Sequence, residues 1–225
     1  GKYKPEELIA KESADAVRYA MFGAALGKDA YFEEKEVKKG NKLVTKIFNA
    51  GKLILGKLQD FEPNNSVIKN DLEAFDKWIV NRCIQTANDM QKAFHDYEYT
   101  QARRIFEQFF WTEFCDNYLE IAKGRLSIDS EDKDQLHKKI SAQHAIYNSY
   151  LGILKMASPF IPHLTEEMYH AECVRNEDKE AIRESLDSKS GHGYYFRNEG
   201  LKSIHNSKWP SSEKDSSDEV IKGAK

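Results

Sequence analysis

The 225-residue sequence has few cysteines and no long apolar run. Its three cysteines, Cys83, Cys115 and Cys173, are odd in number and widely spaced. This pattern excludes a disulfide scaffold and a CxxC-type zinc site, and it fits the reducing cytoplasm. No apolar stretch approaches the roughly 20 residues of a membrane span, so we expect no membrane contact. The first residues, GKYKPEEL, also lack the layout of a secretion signal.

The sequence also lacks a large excess of charge of either sign, since the formal net charge is only −3. The chain is therefore no polycation, and any nucleic-acid role needs a local basic patch. A hydrophobic fraction of 40% with 12% aromatics argues against disorder. A charged fraction of 32% and a mean hydropathy of −0.71 favour a soluble, helix-rich protein.

Residues with the spacing of a catalytic or metal site are missing. The pairs His137/His144 and His163/His170 are each seven residues apart, which is too far on a helix for one zinc ion. The segment GAALGKD has neither the spacing nor the preceding strand of a phosphate-binding loop. We therefore assign no catalytic residue, metal ligand or cofactor to this chain.

Apolar residues recur at helical spacing along most of the sequence, which predicts an all-α antiparallel bundle. We expect helices to begin at Pro5, to cover residues 35–58, to follow Asp71, and to cover residues 129–157; a short one follows SPFIP. The predicted helix Tyr99–Ala122 is apolar nearly all round from Phe106 onward, so it should be the most buried helix, ending near Gly124.

Residues 172–200 carry 12 charged side chains in 29 positions, which indicates a solvated insertion. SIHNSKWP then predicts a short extended return segment, followed by a flexible tail rich in serine, lysine and acidic residues. Because the sequence starts at Gly1 without methionine and ends in that tail, we expect it to be a piece of a longer protein.

The helix predicted at 35–58 has a lysine stripe opposite its apolar face. Residues 35–57 contain seven lysines and one acid, a local charge of +6 in a chain of net −3. Asn49 and Leu53 continue the stripe, because 46, 49 and 53 step by three and four. Lysines that hold phosphates, beside an amide and an apolar group for bases, suit a single-stranded RNA loop. The stripe lysines are Lys35, Lys39, Lys42, Lys46 and Lys57.

The same stripe is open to two other interpretations. An ordinary solvated helix face can be rich in lysine, although such faces usually mix charges of both signs. The face can also belong to a protein-interaction module whose partner is acidic. Composition and spacing alone leave these possibilities open.

Five segments of the sequence form an ordered set of motifs. The first is EELIAKESADAVRYAMFGAALGKDAYFEEKEVKKGNKLVTKIFNAGKLIL. The others are LEAFDKWIVNRC, YEYTQARRIFEQFFWTEFCDNYLEIAKGRL, SPFIPHLTEEMY and SIHNSKWP. In this order the five segments resemble valyl-tRNA synthetases, which are class I aminoacyl-tRNA synthetases. Isoleucyl-tRNA synthetases share this helical bundle and are the alternative family branch. They usually have different residues at the segments GAALGKDAYF, FNAGKLIL and FWTEFCDNYLE.

The resemblance implies a division of the chain. Residues 1–32 would be the last part of the catalytic domain, a region that contacts the tRNA stem. Residues 33–171 would form the helical anticodon-binding domain. Residues 172–200 would be the insertion, and residues 201–225 the return segment and tail.

The resemblance also implies anticodon contacts at Lys35, Lys46, Lys52 and Leu53. Two positions depart from the family. Family members commonly have Arg-Phe where this chain has Lys52-Leu53, so an aromatic stacking surface is missing there. Asn117 stands where tryptophan is common, which puts the local core packing in question.

For the longer parent protein the resemblance implies valine-tRNA ligase activity, with valine, ATP, magnesium and tRNA(Val) as the groups bound. The catalytic motifs would lie outside this chain, so the fragment alone would bind tRNA and hold no cofactor. We expect it to be monomeric and cytoplasmic.

Overall fold

The structure, a computed structural model, describes residues 4–27, 33–61, 71–175 and 203–211, with the backbone only at residues 5 and 171–175. Most of the predicted insertion at 172–200 and the tail from residue 212 lie outside the described residues.

Every regular element within these ranges is helical, which confirms the all-α bundle. The α-helices are α1 (Pro5–Lys11), α2 (Ala14–Met21), α3 (Glu34–Lys57), α4 (Ala74–His95), α5 (Tyr99–Gln108), α6 (Leu119–Leu126), α7 (Lys133–Ala157) and α8 (Pro162–Arg175). A π-helix, Phe109–Tyr118, joins α5 to α6, and a 3₁₀ turn spans Ile204–Asn206.

Local signals in the sequence fix several helix starts. Pro5 opens α1, as predicted, with Glu6 and Glu7 in its first turn. The Ser13 hydroxyl accepts a hydrogen bond from the Ala16 N–H at the start of α2. The Asp132 carboxylate does the same for α7, which therefore begins at Lys133 rather than at residue 129.

The most buried helix is α7, and the prediction that Tyr99–Ala122 would be is wrong. Every residue from Ser141 to Ala157 is buried. Small residues such as Ala142, Ala145 and Gly152 let α3, α4, α6 and α8 approach α7 from all sides. The segment Tyr99–Ala122 instead keeps one polar face in water: Gln101, Arg104, Gln108, Thr112 and Asp116 are exposed.

Helices α5, the π-helix and α6 follow one another without a break, and we call Tyr99–Leu126 the aromatic rod. It continues past Gly124 to Leu126, so the predicted end was wrong by two residues. In the π-helix the exposed Asn117 donates from its side-chain amide to the Thr112 carbonyl, at 2.7 Å. Asn117 thus satisfies a backbone group of the wide turns and leaves the core undisturbed.

Buried carboxylates tie the helices together. Asp76 on α4 is fully buried and accepts two hydrogen bonds from Arg125, at 2.6 and 2.7 Å, and others from Tyr118 and Ser141. Asp15 on α2 accepts from two backbone N–H groups at the start of α8. The short N-terminal helices are therefore fastened to the main bundle.

The return segment packs on the bundle at 203–211. The Glu166 carboxylate accepts from the Ile204 N–H at 2.9 Å and from the Ser203 hydroxyl at 3.0 Å. The Trp209 indole N–H donates to the Ala87 carbonyl at 2.9 Å. The predicted extended conformation is wrong at Ile204–Asn206, where the chain makes a 3₁₀ turn.

Candidate nucleic-acid interface

Helix α3 separates an apolar face from a basic one, as its periodicity predicted. Val37, Leu43, Ile47 and Ile54 are all at most 1% exposed and face the bundle. The residues assigned to the stripe lie on the other side. Exposed there are Lys35, Lys39, Lys42, Asn49 and Lys52, whereas Lys46 and Leu53 are partly buried at its edge.

The N-terminal turns of this face are neutralised by acids. Lys35 pairs with Glu33 at 2.5 Å, and Lys39 pairs with Glu36 at the same distance. The hydrogen bond to Glu33 raises the pKa of Lys35. The hydrogen bond from Lys39 lowers the pKa of Glu36 against the opposing effect of burial. The count over residues 35–57 left out Glu33 and Glu34, so it overstated the positive charge at this end.

The unneutralised charge lies further along the helix. Within the described ranges, no carboxylate forms an ion pair with Lys38, Lys42, Lys46 or Lys52. Lys38 is exposed on the same face, although the stripe predicted from the sequence did not include it. From Lys38 to Leu53 the face runs for about 22 Å along the helix axis. This length offers several phosphate positions to one strand.

Two aromatic residues flank the basic face, and neither was singled out from the sequence. Phe48 is 39% exposed, with the Lys52 ammonium 5.7 Å from its ring centroid. Trp111 of the π-helix is partly buried, with the Lys46 ammonium 5.9 Å from its ring centroid. Trp111 was hidden in a run of aromatic residues that we interpreted as wholly buried.

Buried thiols take no part in reactive chemistry here. Burial raises the pKa of Cys115 to about 12 and raises that of Cys83 as well. Cys115 is 2% exposed in the core, and a thiol with so high a pKa is a poor nucleophile. Within the described ranges, no cluster of three or more His, Cys, Asp and Glu residues could hold a metal ion. No described helix is long and apolar enough to cross a bilayer.

A family profile for the anticodon-binding domain of tRNA ligases matches residues 76–224. This chain belongs to that family. The match covers α4 to the end of the chain and does not include α3, so it leaves the basic face of α3 unassigned.

Curated relatives extend the comparison. The chain is 38% identical to the valine--tRNA ligase of Rickettsia akari over 171 residues, which are 73% of this chain. It is 35% identical to that of Rickettsia canadensis over 187 residues, or 79% of this chain. The matched regions are 21% and 22% of those two enzymes, so this chain spans about a fifth of their length.

Among solved structures, the fold resembles part of the LeuRS of Agrobacterium radiobacter K84 in its ternary complex with tRNA and LeuAMS. The TM-score is 0.59 at 12% identity, over 95% of this chain and 22% of that one. At this identity the likeness concerns the fold alone.

Proposed function

We propose that this chain binds the anticodon loop of tRNA(Val) through the exposed face of α3, as part of a valine-tRNA ligase. The observation that carries the proposal is a run of lysines on one face of α3, Lys38, Lys42, Lys46 and Lys52, with which no carboxylate of the described residues pairs. In the chain this helix precedes the part that matches the anticodon-binding domain of tRNA ligases. Lysines spaced along about 20 Å can contact successive phosphates of a single strand.

Asn49 and Leu53 supply what lysines do not. Both lie on the same face, one exposed and one partly buried. An amide can donate to and accept from the edges of unpaired bases, and an apolar side chain can lie against a base. The phosphate contacts would set affinity and salt dependence, and these two residues would respond to the bases.

The activity of the longer protein is a proposal of the same kind. Similarity to the two rickettsial valine--tRNA ligases supports valine over isoleucine as the amino acid. The full enzyme would use ATP with magnesium to charge tRNA(Val) in the cytoplasm. The 225-residue chain by itself should give only background ATP–pyrophosphate exchange with valine, because the resemblance places the ATP-binding motifs outside it.

The test is binding of hairpin RNAs that carry the anticodon arm of tRNA(Val). We expect tighter binding to this hairpin than to the same hairpin with an altered anticodon or to the anticodon arm of an isoleucine tRNA. Lys46→Ala should weaken binding to all three and lower the salt slope by about 1. Leu53→Asp should remove the preference for the valine anticodon.

A matched control is Lys92→Ala, since Lys92 is exposed on α4, outside the stripe. Equal losses for Lys46→Ala and Lys92→Ala would refute the basic face of α3 as the RNA site. A preference for the isoleucine arm would assign the chain to the isoleucyl branch. Salt-sensitive binding without any anticodon preference would favour a face for acidic partners in general.

A further inference from the structure

The aromatic rod lies beside the basic face of α3. Three contacts join α3 to the rod, or to Ser127 directly after it, in the same order along both. Glu36 pairs with Arg103 at 3.3 Å, Lys46 lies over the Trp111 ring, and the Lys57 ammonium donates to the Ser127 hydroxyl at 2.7 Å. Helix α3 and the aromatic rod therefore run side by side in the same direction.

Long side chains make these contacts, whereas the backbone of α3 packs closely on α2, α7 and α8 instead. Between the Lys46–Trp111 and Lys57–Ser127 contacts, α3 advances about 16 Å. Trp111 lies at one end of this boundary between α3 and the rod, and Ser127 lies at the other.

Trp111, Cys115, Leu119 and Lys123 are spaced four positions apart along the rod. Cys115 and Leu119 are buried, while Trp111 and Lys123 remain partly accessible. Lys123 pairs with Glu120 at 2.5 Å, so its charge is neutralised. Lys46 forms no ion pair with a described carboxylate, so it is the lysine beside the indole that can meet a phosphate.

We infer that Trp111 is the surface on which an unpaired base of the bound RNA loop stacks, with Lys46 holding the phosphate of the same nucleotide. This inference rests on the proposed function. It gives the site an aromatic stacking group, which Leu53 does not supply. An indole is the best aromatic partner for both a base and a cation. In the free protein the Lys46 ammonium covers the ring, and a phosphate would draw it outward to uncover a stacking face.

Phe48 provides the matched comparison. It too has a lysine over its ring, but that lysine, Lys52, comes from its own helix. Of the two aromatic residues, Trp111 belongs to the rod while its cation comes from α3, so Trp111 lies between the two elements. A base that stacks between α3 and the rod would therefore depend on Trp111 and be indifferent to Phe48.

The experiment uses the full 225-residue chain and the valine anticodon hairpin, intact or with an abasic site at one anticodon position. We expect Trp111→Leu to weaken binding of the intact hairpin about tenfold or more, Trp111→Phe to keep most of the affinity, and Phe48→Leu to stay within twofold. For one abasic hairpin, wild type and Trp111→Leu should bind alike, because the stacking partner is already missing.

Fluorescence gives a readout that does not depend on stability. The hairpin should quench tryptophan emission in the wild type and in Phe48→Leu but much less in Trp111→Phe, although Trp78 and Trp209 remain. If Lys46→Ala weakens binding while Trp111→Leu and Trp111→Phe bind and are quenched like the wild type, the stacking inference is wrong and the RNA face stands. If the wild type binds the hairpin no better than an unrelated one, the proposed function itself fails.

Discussion

The Tyr150 hydroxyl lies in the space that a Cβ on Gly51 would occupy. Tyr150 is fully buried on α7, and its hydroxyl donates to the Ile47 carbonyl of α3 at 3.3 Å. The Met168 methyl of α8 also lies within contact of the same position. Gly51 therefore sets how closely α3 approaches α7 and α8, and with that the direction in which the basic face points.

Replacing Gly51 by alanine should destabilise the protein. Alanine is intrinsically better in a helix by about 1 kcal/mol, but its Cβ would overlap a buried tyrosine, and overpacking costs about 1–3 kcal/mol. We expect a net loss in the free energy of unfolding for Gly51→Ala, measured by urea denaturation. Gly56→Ala is the control, because nothing lies near that position. It should be neutral or stabilising by up to about 1 kcal/mol; equal effects of the two variants would contradict this packing.

Much of the fold follows from local patterns. The spacing of Val37, Ile47 and Ile54 indicated α3 and its inward face correctly, because one stripe of apolar residues has only one way to be buried. The prediction of which helix is most buried was wrong, because we took the density of aromatic residues as a measure of burial. Helix α7 is more buried than the rod since its small residues admit neighbours on every side, and this depends on tertiary packing.

The candidate site was predicted in part. The lysines of α3 were found from their spacing, but pairing with Glu33 and Glu36 depends on where the helix begins and on side-chain geometry. Trp111 was missed because a π-helix shifts residues relative to a 3.6-residue period, which turns part of an apparently all-round apolar segment toward solvent.

Asp76 is the polar group whose loss should cost most. It is fully buried and neutralises Arg125, and burial together with the Asp76 charge raises the pKa of Tyr118 well above its ordinary value. Asp76→Ala should lower the free energy of unfolding by about 3–5 kcal/mol, since Arg125 would keep its charge without a partner. Urea denaturation followed by circular dichroism measures this. The exposed Asp116, changed to alanine, should shift it by less than about 0.5 kcal/mol; similar losses would show that the network is not what stabilises this region.

Asp15 should stabilise the attachment of the N-terminal helices. Its buried carboxylate accepts from the His163 and Leu164 N–H groups, at 3.1 and 2.7 Å, and from the His163 ring at 2.8 Å. Asp15→Ala should cost about 2 kcal/mol, at the upper end for a helix cap, because the donors would be left unpaired away from water. The exposed cap Asp132, with one bond, is the comparison and should cost less when changed to alanine. Limited proteolysis should then cut the N-terminal helices of Asp15→Ala faster, and equal rates would argue against this role.

Glu166 should make the attachment of the return segment depend on pH. Burial raises its pKa, but hydrogen bonds from the Ile204 N–H, His170 and Ser203 outweigh this and leave the pKa below its ordinary value. A lowered folded-state pKa contributes stability above the ordinary glutamate value, and the contribution is lost as pH falls through the folded pKa. Glu166→Gln should therefore destabilise by about 1 kcal/mol at neutral pH and by less in acid. Glu167 is exposed, so the effect of Glu167→Gln on stability should show no such pH dependence.

The ion pairs at the start of α3 allow the RNA contacts to be divided between its two ends. Resemblance to the synthetase family implies a contact at Lys35, whereas the structure pairs this lysine with Glu33. Removing both partners, as Glu33→Ala with Lys35→Ala, leaves the net charge unchanged and should alter hairpin affinity by less than twofold. Lys42→Ala removes a lysine that no described carboxylate neutralises, so it should weaken binding at low salt and reduce the slope of log K against log salt by about 1.

Lys92→Ala controls for net charge in the same titrations, and it should leave the slope unchanged because Lys92 lies on α4, outside the stripe. A loss for the Glu33/Lys35 double variant as large as that for Lys42→Ala would place an RNA contact at the first turn of α3, and the ion pair with Glu33 would then have to open on binding. If only Lys42→Ala and Lys46→Ala change the slope, the phosphates lie along the C-terminal two thirds of the helix. The bases would then lie beside Asn49, Leu53 and Trp111, where the lysines leave room for them.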